Sequence, residues 1–104
     1  MKDNNPQISV SSDRKRATIK LLFPFEYNGE KVKQLVMRRP KLRDSILAEK
    51  QAGKDNDTEM MIIRLANLCE VEPDLIEEMD EIEDFENLQE AYALFRPKKP
   101  DNKK

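Results

Sequence analysis

Histidine is absent from this sequence, cysteine occurs once, and glycine occurs twice. Without histidine there is no imidazole to act as a general base near neutral pH, and no Cys/His cluster to hold zinc. The lone cysteine, Cys69, excludes an internal disulfide framework and fits a reducing compartment. The two glycines, Gly29 and Gly53, fall where a turn and a helix stop are needed, which leaves none for a phosphate-cradling loop. Aromatic residues make up only 6% of the chain and tryptophan is missing, so the core must be small and aliphatic. No apolar run approaches the roughly 20 residues of a membrane span, and no signal peptide precedes residue 20. Carboxylates are plentiful over residues 70–90, yet their pattern is not a calcium loop. Together these absences predict a cytoplasmic, soluble, non-enzymatic protein that needs no metal or cofactor.

Charge is abundant but unevenly placed. Through Lys54 the chain carries 13 Lys/Arg against 6 Asp/Glu, and from Asp55 onward 6 against 15. Residues 70–90 hold 11 acids and no base. Such polarity suits a nucleic-acid or membrane contact by the basic half, or head-to-tail self-association. It is equally what a solvated acidic helix face and a lysine-guarded sheet edge produce. A domain of 104 residues buries a modest fraction of its surface, which adds to the expectation of a homo-oligomer.

The stretch from Ile19 to Pro40 organises the rest. Two apolar-rich runs flank Asn28-Gly29, the pair that best tolerates the positive φ angles of a two-residue type I′ turn. An uninterrupted hairpin then pairs Tyr27 with Glu30, Phe25 with Val32, Leu21 with Val36 and Ile19 with Arg38. One face would carry Phe23, Phe25, Tyr27, Val32 and Gln34. The other would carry Glu26 with Lys31, Pro24 with Lys33, Leu22 with Leu35, and Lys20 with Met37. Leu22, Leu35 and Met37 are unexpected on a water-facing side, so either a helix or the N-terminal tail covers them or a partner does. Pro24 cannot donate to a ladder and marks an edge.

Upstream, residues 1–16 form a polar segment without periodicity, expected to be disordered or weakly ordered, or to add a short edge strand at 7–11. Downstream, Pro40 suits the first turn of a helix reaching about Ala52, with Leu42, Ile46 and Leu47 inward and Gly53 as its stop. Asn56 followed by Glu59 resembles a capping box for a helix over 58–70, the most apolar stretch and hence the core helix. Cys69 there acts as a small hydrophobe. Glu72-Pro73 breaks it, and a short helix with Leu75, Ile76 and Met79 follows. From about Asp80 a last helix carries the stripe Ile82, Phe85, Leu88, Tyr92 and Phe95, stopped by Arg96-Pro97. The predicted fold is α+β: an N-terminal two-stranded antiparallel β-hairpin followed by three to four α-helices, with disordered tails. Residues 17–96 form the single domain, its minimum core built from Phe23, Phe25, Val32, Leu65 and Leu68. Residues 97–104 form a basic flexible tail.

The run from Phe23 to Val32, then Leu35, then Arg38-Arg39-Pro40-Lys41 and Asp44, resembles the Mu-like phage tail assembly chaperone family. The apolar stretch 59–68, the Pro-containing turn, Met79-Asp80 and residues 85–88 agree more loosely, so the resemblance spans about 18–95. It implies a protein that binds the long helical tape measure protein, keeps it soluble and delivers it to the tail tube protein. It further implies residence in the host cytoplasm, absence from the mature virion, and a second form of the chain extended by frameshifting. The amphipathic helices and Met37, Met60, Met61 and Met79 suit adaptable binding of another helix. On this reading Leu22, Leu35, Met37, Tyr92 and Phe95 are the candidate partner-binding residues, along a groove between the last helix and the exposed hairpin face. The rival reading is a small nucleic-acid-binding regulator using Arg38, Arg39, Lys41 and Arg43. An acidic pI near 5.3 and the lack of stacking aromatics on that face stand against it.

Overall fold

A computed structural model describes residues 5–52 and 57–95. Three strands, β1 (Ile8–Val10), β2 (Arg16–Tyr27) and β3 (Glu30–Arg38), form an antiparallel sheet in the order β1-β2-β3. Four helices follow: α1 (Leu42–Ala52), α2 (Asp57–Cys69), α3 (Pro73–Glu77) and α4 (Asp84–Phe95). The architecture is α+β, with α2 and α4 laid on the sheet. The sheet has three strands rather than the two expected. The edge-strand option for residues 7–11 is the one realised, because Ile8 sits opposite Ile19 and, with Val10, packs against the core. Gly53, Asn56, Arg96, Pro97 and the tail 97–104 lie outside the described residues.

The turn forms as its sequence dictates. Asn28 and Gly29 take φ of 53° and 81°, and Tyr27 pairs with Glu30, Glu26 with Lys31 and Phe25 with Val32. Beyond that point the pairing departs from the uninterrupted ladder. Lys20 lies opposite Gln34, Ile19 opposite Leu35 and Ala17 opposite Met37, so Leu21, Leu22, Phe23 and Pro24 stand against Lys33 alone. Pro24 has no N–H to give. The N–H groups of Leu22 and Phe23 donate instead to the carboxylate of Asp84, at 2.7 and 2.9 Å, across 62 and 61 residues of chain. An odd offset exchanges the faces of the partner strand. Leu35 and Met37 therefore join Ala17, Ile19 and Leu21 in the core, while Leu22 and Phe23 stay exposed. Phe23 is thus not a core residue, and Phe25 and Val32 are half-buried at its margin.

The central cluster adds Leu65, Ala66, Leu68 and Cys69 from α2, then Leu75, Ile76 and Met79, then Leu88, Ala91 and Phe95 from α4. At the end of α2, Glu70 has φ of 59°; its N–H reaches Asn67 O and that of Val71 reaches Ala66 O, the Schellman arrangement usually made by glycine. The last helix starts later than expected. Asp80 caps it by accepting from the N–H groups of Glu83 and Asp84, at 2.7 and 3.1 Å, and Ile82 falls in the exposed turn between.

Three substitutions test this packing by thermal melts. Leu65→Ala should cost on the order of 2–5 kcal/mol. Asp84→Ala, which strands two N–H groups in the bulge, should cost at least about 2 kcal/mol. Phe23→Ala should cost less than about 1 kcal/mol; a loss as large as that of Leu65→Ala would return Phe23 to the core.

Candidate partner-binding surface

The orientation of α1 follows from one ion pair. Arg38, the last residue of β3, holds the Asp44 carboxylate by two hydrogen bonds of 2.9 and 2.8 Å. Asp44 also accepts the N–H of Lys41 at 2.7 Å while its own N–H reaches Lys41 O, so it closes the first turn of α1 from within. Arg38 further donates to Asn67 O at 3.4 Å and lies 3.6 Å from the Glu70 carboxylate. The hydrogen bonds from Arg38, helped by the Lys41 N–H, hold the Asp44 carboxyl below its ordinary pKa.

With Asp44 drawn inward, Ala48 one turn later is buried as well. Leu42, Ile46 and Leu47 then fall on the far side of the helix and face solvent, Leu42 at 78% exposure. The expectation that these three point inward is reversed, because a buried carboxylate with three donors outweighs the apolar stripe in setting the rotation. Arg43 and Lys50 share the outer face.

Two adjoining clefts of about 260 and 230 Å³ lie between the first half of α2 and the α3–α4 region. Thr58 and Phe85 line both, which makes them one groove. Its floor is Met61, Ile62, Ile76, Met79 and Phe85, and its rim carries Asp57, Glu77 and Glu81. Arg64, the one base of residues 55–95, sits over the Tyr92 ring at 5.9 Å instead of on that rim. The groove is apolar within and acidic at its edge.

The five expected contact residues are not assembled into such a surface. Leu35, Met37 and Phe95 are buried in the core, placed there by the shifted strand register and by the packing of α4 on the sheet. Leu22 is exposed in the bulge and Tyr92 is half-buried beside Arg64. Of the basic residues proposed for nucleic acid, Arg38 is committed to Asp44. Arg39 donates to Arg14 O at 3.1 Å and lies 5.9 Å from the Phe95 ring centre. The groove was not foreseen, although the apolar spacing of Met61, Ile62 and Phe85 beside the acidic run was its visible signal. Burial pushes the Cys69 thiol up to about 12, consistent with a packing role. Tyr27 at the hairpin tip donates to Glu72 at 2.8 Å, and that bond raises its phenol to about 12. Among the described residues no group of three or more Cys, Asp or Glu is placed to hold a metal ion. No helix among them is long and apolar enough to cross a membrane.

Residues 18–96 match the model of one protein family, described as phage tail assembly chaperone proteins E, or 41 or 14. The chain belongs to the phage tail assembly chaperone family. No curated protein and no solved structure matched it. The Arg-Arg-Pro-Lys step followed by Asp44 is in this tail assembly chaperone the corner at which the sheet is tied to its helices. The tip of the hairpin is tied separately, through Tyr27 and Glu72.

The corner gives a pH prediction. Asp44 has a folded pKa below its unfolded value near 3.9, so its stabilisation is complete above that range and disappears as pH falls through the folded value. At pH 7 Asp44→Asn should lose about 2–4 kcal/mol in urea unfolding. The gap to wild type should close as pH falls well below 4; a gap that stays constant down to pH 2 would remove the ion pair as its source.

Proposed function

We propose that this chain binds the tape measure protein, keeps it soluble in the host cytoplasm and passes it to the tail tube protein during tail assembly, without catalytic activity and without entering the virion. The observation that carries the reading is the acid-rimmed apolar groove in a member of the tail assembly chaperone family. A groove of this kind takes an amphipathic helix through apolar anchors three and four residues apart. Met61, Ile62, Ile76, Met79 and Phe85 supply the apolar contact, and two of the five are methionines, whose unbranched side chains adapt to varied sequences. Asp57, Glu77 and Glu81 favour a client helix bearing Lys or Arg beside its apolar stripe. They speed encounter and select orientation more than they add affinity. The surface differs from the hairpin-face groove that the sequence suggested, and of those five residues Leu22 and Tyr92 remain accessible to a client that extends beyond the groove.

Co-expression with the tape measure protein tests this. Wild type should raise the soluble fraction of that protein and co-purify with it. A Met61→Asp, Phe85→Asp variant that retains the wild-type circular dichroism spectrum should do neither. A folded variant that rescues solubility as well as wild type removes the groove as the binding site, and failure of the wild type itself removes the chaperone reading for the pair tested.

A further inference from the structure

The outer face of α1 is the second unusual surface of the molecule. Its inner face is made by Asp44 and Ala48, a carboxylate and a methyl group, while Leu42, Ile46 and Leu47 are turned to solvent. A helix normally does the reverse. At 100° per residue, Leu42, Ile46, Lys50, Arg43 and Leu47 follow one another round that outer face, so the apolar ridge is interleaved with two bases. This combination complements the groove, which is apolar along its floor and carries Asp57, Glu77 and Glu81 at its rim.

The two surfaces cannot meet within one molecule. Helix α1 packs chiefly on α2, where Ile63 is buried outside the central cluster, as is Ala48 of α1. Thr58 and Met61, which line the groove, lie roughly 140° and 160° round α2 from Ile63, and Ile62, which lines it too, about 100°. Ridge and groove therefore belong to opposite sides of the same helix.

We infer that α1 of one copy docks in the α2–α3–α4 groove of a second copy, Leu42, Ile46 and Leu47 entering the apolar floor while Arg43 and Lys50 meet Glu77 and Glu81. The contact joins two different surfaces, so it is heterologous and leaves a free ridge at one end and a free groove at the other. It uses the same groove as the client helix but stands on the geometry and charge of this chain alone. Its test therefore contains no tape measure protein, and its failure leaves the client reading untouched.

Sedimentation velocity of the purified full chain at low ionic strength provides the test, with three samples. Wild type should form a concentration-dependent series of species beyond the dimer, shifting toward monomer as salt is raised. An Ile46→Asp, Leu47→Asp variant and a Glu77→Lys, Glu81→Lys variant, all altered at exposed positions, should each be monomeric with unchanged circular dichroism. Mixed in equal amounts, the first supplies an intact groove and the second an intact ridge, so the mixture should give dimers and nothing larger. A wild type that stays monomeric, single variants that associate as wild type does, or a mixture that remains monomeric would each overturn the inference.

Discussion

The pairing of Arg38 with Asp44 decides which face of α1 meets water. Both groups come from a short corner between strand and helix, and the carboxylate is almost wholly buried there. Breaking a pair of this kind leaves a charge without compensation, at a cost of roughly 3–5 kcal/mol. The helix accordingly turns its polar residue inward and its leucines and isoleucine outward. The apolar, basic ridge on α1 is thus a consequence of electrostatics at the corner. The placement of α2 follows too, since Arg38 also holds the end of that helix through Asn67 O and Glu70.

Around that corner the molecule separates its tasks by element. The sheet and the inner faces of α2 and α4 supply the aliphatic core, and Tyr27, Asp80 and Asp84 fasten the hairpin and the last helix to it. The N-terminal segment is part of this frame. Asn5 donates to Asn87 and Glu90 on α4, and Arg14 donates to Leu94 O, so the segment clasps α4 along most of its length. What remains outward-facing is the groove with its acidic rim. Two bases of the first half, Arg43 and Lys50, mark the outer face of α1, and three acids of the second, Asp57, Glu77 and Glu81, mark the groove.

The turn, the helix order, the core helix and the family were legible in the sequence because each rests on local signals: Asn28-Gly29, Pro40, Pro73 and the apolar spacing of α2. The candidate contact surface was not, and the reasons are particular. Leu35 and Met37 lie on the opposite face to that of an uninterrupted hairpin because one buried carboxylate, Asp84, stabilises a bulge that no local pattern announces except the missing N–H of Pro24. Leu42, Ile46 and Leu47 face solvent against their spacing because hydrophobic periodicity takes no account of an ion pair across six residues. Glu70 occupies a position where a glycine would have signalled the helix end. None of the three deciding contacts is a hydrophobic repeat: the bulge is held across 62 and 61 residues, α1 by an ion pair across six, and the end of α2 by backbone hydrogen bonds.

The bulge also bears on when the hairpin becomes what it is. As the chain leaves the ribosome, Asn28-Gly29 can close a turn as soon as β3 has emerged, and at that stage the carboxylate that receives the N–H groups of the bulge has not yet been made. That carboxylate belongs to Asp84, 62 and 61 residues after the Leu22 and Phe23 whose N–H groups it receives. Contacts between such distant segments form late, because closing the loop costs entropy before the contact repays it. Until then the strands lack the contact that holds the shifted register, and in the uninterrupted one Leu35 and Met37 would lie beside Leu22 on the outer face. Synthesis of α4 therefore ends a period of ambiguity, fixing by one side chain the faces of strands made long before it.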